Sequence, residues 1–234
     1  MDRQDNNFKA RAVREMFCRI APYYDLINFL MSWGQDSRWR RVAVRLAQPE
    51  RALALDVATG TGDMALELAR YTDSVVGLDL CWEMMKRGQV KLEKKGAEKR
   101  VDFIMGDALA LPFSDNSFDC ALNAFALRNV ADIKLFLAEL RRVIKPGGRV
   151  VCLELVRPVS GIIGALYRFY LYKIIPILGG RLSGDGRAYR YLPDSVDGFL
   201  SIMEFRKIME EIGFRQVNHR SLNLGTVAVY VGVK

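Results

Sequence analysis

Three aspartates and a glycine-rich loop are the residues best suited to ligand binding in this chain of 234 residues. Asp56, Asp79 and Asp107 each stand at the end of a short apolar run that we interpret as a β-strand. The loop after the first of these runs contains Ala58, Thr59, Gly60, Thr61 and Gly62. Glycine has no Cβ, so the backbone of such a loop can approach a ligand closely. Parallel strands end at one edge of their sheet, and we therefore predict a binding site at that edge.

The chemistry of these side chains favours a nucleoside without phosphate groups. Asp79 follows the loop by about twenty residues, where a carboxylate can accept hydrogen bonds from both hydroxyls of a ribose. Asp107 can accept a hydrogen bond from an adenine amino group while a neighbouring backbone N–H meets the ring. Negative charges suit a sulfonium nucleoside, and the phosphate-binding pattern GxxxxGK[ST] is absent. The alternative interpretation is that these acids cap helices or lie in solvated turns, and that the glycines serve only a turn.

The elements that must position these residues alternate between strands and helices. The first fifty residues carry apolar positions three and four apart, which predicts helices. Five apolar runs with interspersed helical segments follow, and this order predicts a parallel sheet with right-handed crossovers. Lys145-Pro146-Gly147-Gly148 is expected to stop the helix before the fifth strand. RQVNHRSL and TVAVYVGVK have no helix between them, which predicts an antiparallel hairpin at the C-terminal edge of the sheet.

We therefore predict a single α/β domain over residues 1–234. Its core is a doubly wound, mostly parallel, seven-stranded sheet. A helical cap covers residues 1–50, and an insert that forms a lid for the substrate covers residues 156–198.

The insert carries much of the positive charge of the chain. The net charge of the whole chain is +8, and from Val156 to Arg190 six basic residues stand against Asp185, a local net charge of +5. The basic residues are Arg157, Arg168, Lys173, Arg181, Arg187 and Arg190, and the aromatic residues interleaved with them are Tyr167, Phe169, Tyr170, Tyr172 and Tyr189. This pattern is typical of a surface that binds an anionic membrane or a nucleic acid. The alternatives are a solvated basic surface and a lid that packs on the core.

Cysteine usage and hydropathy exclude several classes of protein. Cys18, Cys81, Cys120 and Cys152 show no CxxC spacing and His219 is the single histidine, so we predict no metal site. Cys120 and Cys152 lie in predicted strands, where a free thiol packs as a small apolar residue. The N-terminus has no signal-peptide core, and no run of eighteen apolar residues occurs. We therefore expect a cytoplasmic protein with reduced cysteines.

The chain resembles the menaquinone and ubiquinone biosynthesis C-methyltransferases over nearly its whole length. The segments that carry the resemblance are MFCRIAPYYDLINFLMSWG, LDVATGTGD, GDALALPFSDNSFD, FALRNVADI, LRRVIKPGGRVVCLEL, GDGRAYRYLPDSVDGF and LNLGTVAVYVGVK. The glycine loop and KPGG occur in many methyltransferases, whereas APYYDLIN, LRNV and AYRYLPDS are much more specific. The resemblance implies the class I methyltransferase fold, with S-adenosylmethionine as the cofactor.

In that family the cofactor is held at positions that correspond here to Thr61, Asp79, Asp107 and Ala108. We add the neighbouring positions to the predicted cofactor site: Asp56, Thr59, Gly60, Gly62 and Ala124. The chain departs from the family pattern at Thr59, which replaces a glycine, at Ala124, which replaces a small hydroxyl residue, and at Ala126, which replaces another glycine. A histidine common after MSxG is also absent from GQDSRWRR. These departures concern the fit of the substrate more than that of the cofactor.

The resemblance implies methyl transfer to a ring carbon of a prenylated quinol precursor, demethylmenaquinol or the equivalent ubiquinone precursor. A ring carbon becomes nucleophilic when an ortho or para phenol ionises, which requires a base or a cation that lowers the phenol pKa. Arg128 can stabilise the phenolate or hold an activating water, and Asn129 can orient it. A salt bridge that ties a loop is the alternative for Arg128, and a helix cap is the alternative for Asn129. Asp25, beside Tyr24 and over the cofactor, is a candidate base or a helix cap.

The insert is expected both to cover the substrate and to contact the membrane. Tyr189 and Tyr191 are expected to lie in the lid over the substrate, with simple lid packing as the alternative. A prenyl tail rarely leaves the bilayer, so we expect the insert to dock reversibly on an anionic membrane surface.

The sequence also bears on other methyl acceptors and on partners. An appended nucleic-acid module and an Asn/Asp-Pro-Pro-aromatic motif are both absent, so no nucleic-acid partner is predicted. The sequence does not determine the oligomeric state, and a homodimer is one possibility. The competing hypotheses are the same fold acting on a small phenol or an RNA, and a cofactor-binding module without catalysis.

Overall fold

Seven strands form one sheet in the computed structural model, which describes residues 3–49, 53–157, 161–183 and 186–234. The strands are β1 (Leu53–Val57), β2 (Ser74–Asp79), β3 (Val101–Met105), β4 (Phe118–Ala124), β5 (Ile144–Leu155), β6 (Arg215–Leu222) and β7 (Val227–Val233). Their order across the sheet is β3-β2-β1-β4-β5-β7-β6. β1 to β5 pair in parallel, whereas β7 pairs antiparallel with both β5 and β6. The predicted doubly wound sheet with an antiparallel C-terminal hairpin is confirmed.

Ten α-helices accompany the sheet in the described part of the chain. They are α1 (Arg3–Ile20), α2 (Tyr24–Ser32), α3 (Asp36–Ala47), α4 (Asp63–Leu68), α5 (Trp82–Lys95), α6 (Ile133–Val143), α7 (Ile162–Phe169), α8 (Ile175–Ser183), α9 (Gly186–Asp197) and α10 (Ile202–Glu211). A π-helical turn over Tyr170–Ile174 joins α7 to α8. No helix in these described ranges is both long and apolar enough to cross a lipid bilayer.

Two hydrophobic cores cover the two faces of the sheet. One core packs Phe136 of α6 and Phe205 of α10 against side chains such as Leu55. The other packs Val44 of α3 and Leu68 of α4 on the opposite face, together with residues of α5. Helices on both faces explain why the central strands are nearly continuous apolar runs, because a parallel sheet is buried on both sides.

The Lys145–Gly148 segment, which was predicted to stop the helix before the fifth strand, lies inside that strand. α6 does end at Val143, but β5 begins at Ile144 and runs through this segment to Leu155. Gly148 lies so close to β4 that a Cβ would stand 2.6 Å from the carbonyl oxygen of Asp119. The glycine pair therefore lets a strand start directly at the helix end.

The cap helices and the insert helices pack on each other above the carboxyl edge of the sheet. Their contact is a separate apolar cluster that includes Ile20 and Ile27 from the cap, and Leu171, Ile175 and Tyr189 from the insert. Tyr170 Oη donates a hydrogen bond to the carbonyl oxygen of Met31 at 2.9 Å. Asp185, counted in the charge of the insert, lies outside the described residues.

The cysteines follow the prediction only in part. Cys120 and Cys152 are buried free thiols, as expected. Cys18 of α1 and Cys81, just before α5, form a disulfide with a Cα–Cα distance of 5.8 Å. The expectation of reduced cysteines is therefore wrong for this pair, because the packing of the cap on α5 brings together two thiols that lie 63 residues apart in sequence.

Candidate functional site

Two cavities lie side by side at the carboxyl edge of the sheet. The first, which we call the edge cavity, has a volume of about 150 Å³ and lies where β1, β2, β3 and β4 end. The predicted cofactor residues that line it are Gly60, Asp79, Asp107, Ala108 and Ala124. Asp56, Thr59, Thr61 and Gly62 do not line it. Asp79 and Asp107 therefore lie together at one edge of the sheet, as the prediction from the strand ends requires.

Asp79 connects the glycine loop to the start of α5. Its Oδ2 accepts a hydrogen bond from the backbone N–H of Gly60 and its Oδ1 accepts one from Cys81, each at 2.8 Å. Burial raises the pKa of this carboxyl group, while the backbone hydrogen bonds act in the opposite direction. A carboxylate has about four lone-pair sites. Two of them are used by the backbone, so acceptor capacity is left for a ligand in the cavity.

The two loop glycines serve different purposes. Gly60 has φ +56°, and a Cβ there would meet only the Cε of Met84 at 3.4 Å. Gly62 has φ +79°, and a Cβ there would stand 2.7 Å from the ring of Phe103. Both positions therefore have a left-handed backbone that favours glycine, and at Gly62 the packing on Phe103 also excludes a Cβ.

Asp56 and Thr59 form a buried pair beneath the loop. Thr59 Oγ1 donates a hydrogen bond to Asp56 Oδ2 at 2.6 Å. Among the described residues, Asp56 Oδ1 has no hydrogen-bond partner. Burial raises the pKa of Asp56 to about 7, despite the bond from Thr59. Thr59, which replaces a glycine of the family pattern, thus supplies a hydrogen-bond donor to the buried Asp56 carboxyl group.

Thr61 and Asp25 tie the cap to the loop. Thr61 Oγ1 donates to Asp25 Oδ1 at 2.5 Å, and Lys91 Nζ lies 2.9 Å from Asp25 Oδ2. Lys91 also contacts Asp63 at 2.5 Å. The helix-cap alternative for Asp25 is wrong, because the residue before α2 is Tyr23 and no side chain caps that helix end. Lys91 carries no distinguishing sequence signal, and sequence reasoning missed it.

The second cavity, which we call the roof cavity, has a volume of about 360 Å³ and lies between the cap, the segment 125–129 and the insert. Most of its lining is aromatic or aliphatic, with Arg40, Arg128 and Asp36 among the charged residues. Four residues line both cavities: Phe17, Tyr24, Phe125 and Asn129. A ligand in one cavity is therefore separated from a ligand in the other only by this shared wall.

Arg128 lines the roof cavity and forms an ion pair with the fully buried Glu154 of β5. Arg128 Nη1 contacts Glu154 Oε1 and donates to the carbonyl oxygen of Phe125 at 2.9 Å. Arg128 Nε has no partner within the described ranges. The salt bridge that stood as the alternative for Arg128 is therefore present, yet it leaves part of the guanidinium unpaired. Sequence reasoning missed Glu154.

Asn129 follows Arg128 in a short 3₁₀-helix, Leu127–Asn129. Its Nδ2 donates to the carbonyl oxygen of Phe125 at 3.2 Å, whereas its Oδ1 has no partner in the described part of the chain. The helix-cap alternative for Asn129 is wrong, because Asp132 caps α6 by accepting from the backbone N–H of Leu135. Asn129 thus lines both cavities, but its unpaired Oδ1 is occluded.

Tyr24 stands at the shared wall between two arginines. Burial raises the pKa of Tyr24, and the charges of Arg40 and Arg128 act to lower it. The Arg40 guanidinium lies 5.6 Å from the centre of the Phe125 ring and pairs with Asp36. Two arginines, each paired with an acidic side chain, therefore lie near Tyr24 in the roof cavity. Arg40 is a further residue that sequence reasoning missed.

Tyr189 and Tyr191 both line the roof cavity, and their role in a lid over the substrate stays a prediction. Tyr189 is also buried in the apolar cluster that joins the cap and the insert. The same side chain therefore lines the roof cavity and packs in this cluster. A Cβ on Gly179 would stand 2.2 Å from the Tyr189 ring, which explains the glycine in α8.

Comparisons with known proteins agree with this architecture. The model of the ubiE/COQ5 methyltransferase family matches residues 4–234. The chain is 44% identical over 230 residues to a demethylmenaquinone methyltransferase of Porphyromonas gingivalis, covering 97% of this chain and 94% of that protein. It is 46% identical over 222 residues to a demethylmenaquinone methyltransferase of Thermus thermophilus, covering 93% and 99%.

Solved structures show the same fold at lower sequence identity. The crystal structure of a SAM dependent methyltransferase from Aquifex aeolicus superposes with a TM-score of 0.63 at 21% identity. The match covers 89% of this chain and 96% of that chain.

Proposed function

Because the chain belongs to the ubiE/COQ5 methyltransferase family, we propose that it transfers a methyl group from S-adenosylmethionine to a ring carbon of a prenylated quinol precursor. The observation that carries the proposal is the shared wall. An edge cavity with a glycine loop and two acids meets an aromatic roof cavity that contains a partly unpaired arginine. Donor and acceptor can therefore approach each other at Tyr24, Phe125 and Asn129.

The residues of the edge cavity fit S-adenosylmethionine. Asp79 retains acceptor capacity for ribose hydroxyls after binding the N–H groups of Gly60 and Cys81. Asp107 uses Oδ1 for the backbone N–H of Leu109 at 2.9 Å, which leaves Oδ2 for an adenine amino group. When bound, the cofactor supplies a methyl carbon that is electrophilic because it is attached to a sulfonium. Gly60 leaves room for it at the loop.

The roof cavity supports the activation of a phenol. A phenolate beside Arg128 gains a charge-assisted hydrogen bond, which lowers its pKa and makes the ortho and para carbons nucleophilic. The ring carbon then bonds to the methyl group as the methyl–sulfur bond breaks, with S-adenosylhomocysteine as the leaving group. Loss of the proton on that carbon to water restores the aromatic ring. Asn129 orients the phenol from the shared wall, and Tyr24 and Phe125 hold the ring in line.

We further propose that the insert brings this cavity to the membrane. α7 exposes Ile162, Leu166 and Phe169, which are four and three residues apart and so share one helical face, while Tyr167 on another face lines the roof cavity. Arg168 and Lys173 are exposed beside that face. An apolar face with basic neighbours is suited to the interface of an anionic bilayer.

The cap extends this surface. Phe29 and Leu30 of α2 and Trp33 directly after it are exposed, and the bond from Tyr170 to Met31 places α2 next to the insert. Trp33 also lines the roof cavity, so the mouth of that cavity opens beside the apolar surface. A prenyl tail could then remain in the lipid while its ring enters the protein.

Methyl transfer is tested with the purified protein, S-adenosylmethionine and demethylmenaquinol in liposomes, with mass spectrometry of the quinones. We expect a product heavier by one methyl group, and loss of the methylated quinone in cells that lack the gene. Tight binding of S-adenosylmethionine without methylation of any prenylated quinol would contradict the proposed acceptor.

Membrane docking is tested by co-sedimentation with vesicles. We expect binding to anionic vesicles that weakens in high salt and is reduced in the Arg168→Glu/Lys173→Glu variant, since each basic residue contributes about 1 kcal/mol. Lys94→Glu/Lys95→Glu, in the last turn of α5, removes the same charge elsewhere and is the matched control. Equal, negligible binding to anionic and neutral vesicles would leave the insert as a lid only.

A further inference from the structure

We infer that Glu154 is a positioning residue that directs Arg128 into the roof cavity and sets the charge felt by a phenol there. The inference rests on the proposed function, which gives Arg128 its role toward the phenol. It concerns a carboxylate that does not line either cavity and does not touch a ligand in them.

Glu154 is held rigidly in the sheet. It lies near the end of β5, between β4 and β7, and its side chain is fully buried. Its Oε1 accepts from the backbone N–H of Leu155 at 2.7 Å, and its Oε2 accepts from the backbone N–H of Arg128 at 3.3 Å. Both donors belong to the main chain, so these two bonds hold the carboxylate in place independently of the Arg128 guanidinium.

The fixed carboxylate then orients the guanidinium. Arg128 Nη1 is held by Glu154 Oε1 and by the carbonyl oxygen of Phe125. With one nitrogen fixed from two sides, the planar fork has a defined direction. Within the described residues neither Nε nor Nη2 makes a hydrogen bond, and because Nε is occluded, Nη2 is the donor left for a group in the roof cavity. Glu154 therefore prepares a donor for a group that enters the roof cavity.

Glu154 also compensates the charge of Arg128. The other titratable groups near this pair come from several elements: Tyr24 of α2, Arg40 of α3, Cys152 of β5, Tyr167 of α7, Tyr191 of α9 and Tyr230 of β7. Burial raises the pKa of each of these thiol and phenol groups, so they are neutral near pH 7. These neutral neighbours cannot balance the positive charge of Arg128 if the Glu154 charge is lost.

Two substitutions separate orientation from charge. Glu154→Gln keeps an acceptor of the same shape but removes the charge, so the pKa of a phenol beside Arg128 should fall by about one unit. Glu154→Ala removes the acceptor as well, so the guanidinium loses its direction and kcat should fall by about tenfold to a hundredfold. The KM for S-adenosylmethionine should stay within twofold in both variants, because Glu154 does not line the edge cavity.

The experiment uses the absorbance of 4-nitrophenol, which reports its own ionisation without methyl transfer. The probe is titrated with pH in the wild type, Glu154→Gln, Glu154→Ala and Glu211→Gln. Glu211, an exposed partner of Lys134, provides the matched control, for which no change is expected. A fall in the probe pKa for Glu154→Gln relative to the wild type, together with a lower kcat for Glu154→Ala, supports the inference.

An unchanged probe pKa in folded Glu154→Gln overturns the inference. If Glu154→Ala does not fold, Glu154→Gln alone decides. The probe titration distinguishes this result from failure of the proposed function, because a wild type that does not methylate demethylmenaquinol still reports whether Glu154 sets the phenol pKa.

Discussion

Replacing Asp79 with alanine should weaken the binding of S-adenosylmethionine by about 30-fold to 1000-fold. The carboxylate retains acceptor capacity beside its hydrogen bonds from Gly60 and Cys81, and we assign this capacity to the two ribose hydroxyls. Loss of two charge-assisted hydrogen bonds costs about 2–4 kcal/mol in binding free energy. A difference of about 1.4 kcal/mol is tenfold in Kd, which gives the stated range.

The measurement is isothermal titration calorimetry, with circular dichroism to verify the fold. Asp79→Asn keeps the shape and one carbonyl acceptor, so its Kd should lie between those of the wild type and Asp79→Ala. Asp73→Ala removes an exposed acid near the start of β2 and should leave the Kd unchanged. A folded Asp79→Ala protein whose Kd stays within twofold of the wild-type value would refute the assignment of the ribose to Asp79.

Three further predictions follow from contacts at the site and in the cap. Arg128→Gln should lower turnover by about a hundredfold with little change in cofactor affinity, and a loss of thermal stability alone would favour a purely structural salt bridge. Asp56 has a folded pKa of about 7 against an ordinary value of 3.8, so the free energy of unfolding should fall by about 4 kcal/mol as pH rises between these values. Asp56→Asn should flatten that dependence in urea melts recorded across this pH range, and an unchanged slope would contradict the raised pKa. Reduction of Cys18–Cys81 should destabilise the protein by about 4 kcal/mol for a loop of 63 residues, and Cys18→Ser should make the melting temperature insensitive to reductant.

The sheet and the two acids of the edge cavity could be predicted because they depend on local patterns. An apolar run that ends in an acid gives both a strand and the position of its last side chain, as for Asp79. In a parallel sheet, the neighbouring order of β1, β2 and β3 then brings such ends together. Sequence order and strand pairing were sufficient for this part of the site.

The direction of the loop side chains could not be predicted in the same way. Thr61 lies in the expected loop, but its hydroxyl bonds to Asp25, which is 36 residues away in sequence. Glu154 is an acid inside the apolar run VVCLEL, which is a sign of a buried charge. Its partner Arg128 lies 26 residues away, and only the folded chain shows that the two meet. Such contacts depend on packing between elements, for which the periodicity of a single segment carries no information.

The shared wall has a consequence for the order of events in turnover. Phe17 and Tyr24 of the cap line both cavities, so any movement of the cap that opens one cavity also changes the boundary of the other. The exchange of one ligand should therefore depend on whether the neighbouring cavity is filled. Turnover should therefore be sequential, with both ligands bound before the methyl group is transferred. In steady-state kinetics, S-adenosylhomocysteine should then compete with S-adenosylmethionine but not with the quinol.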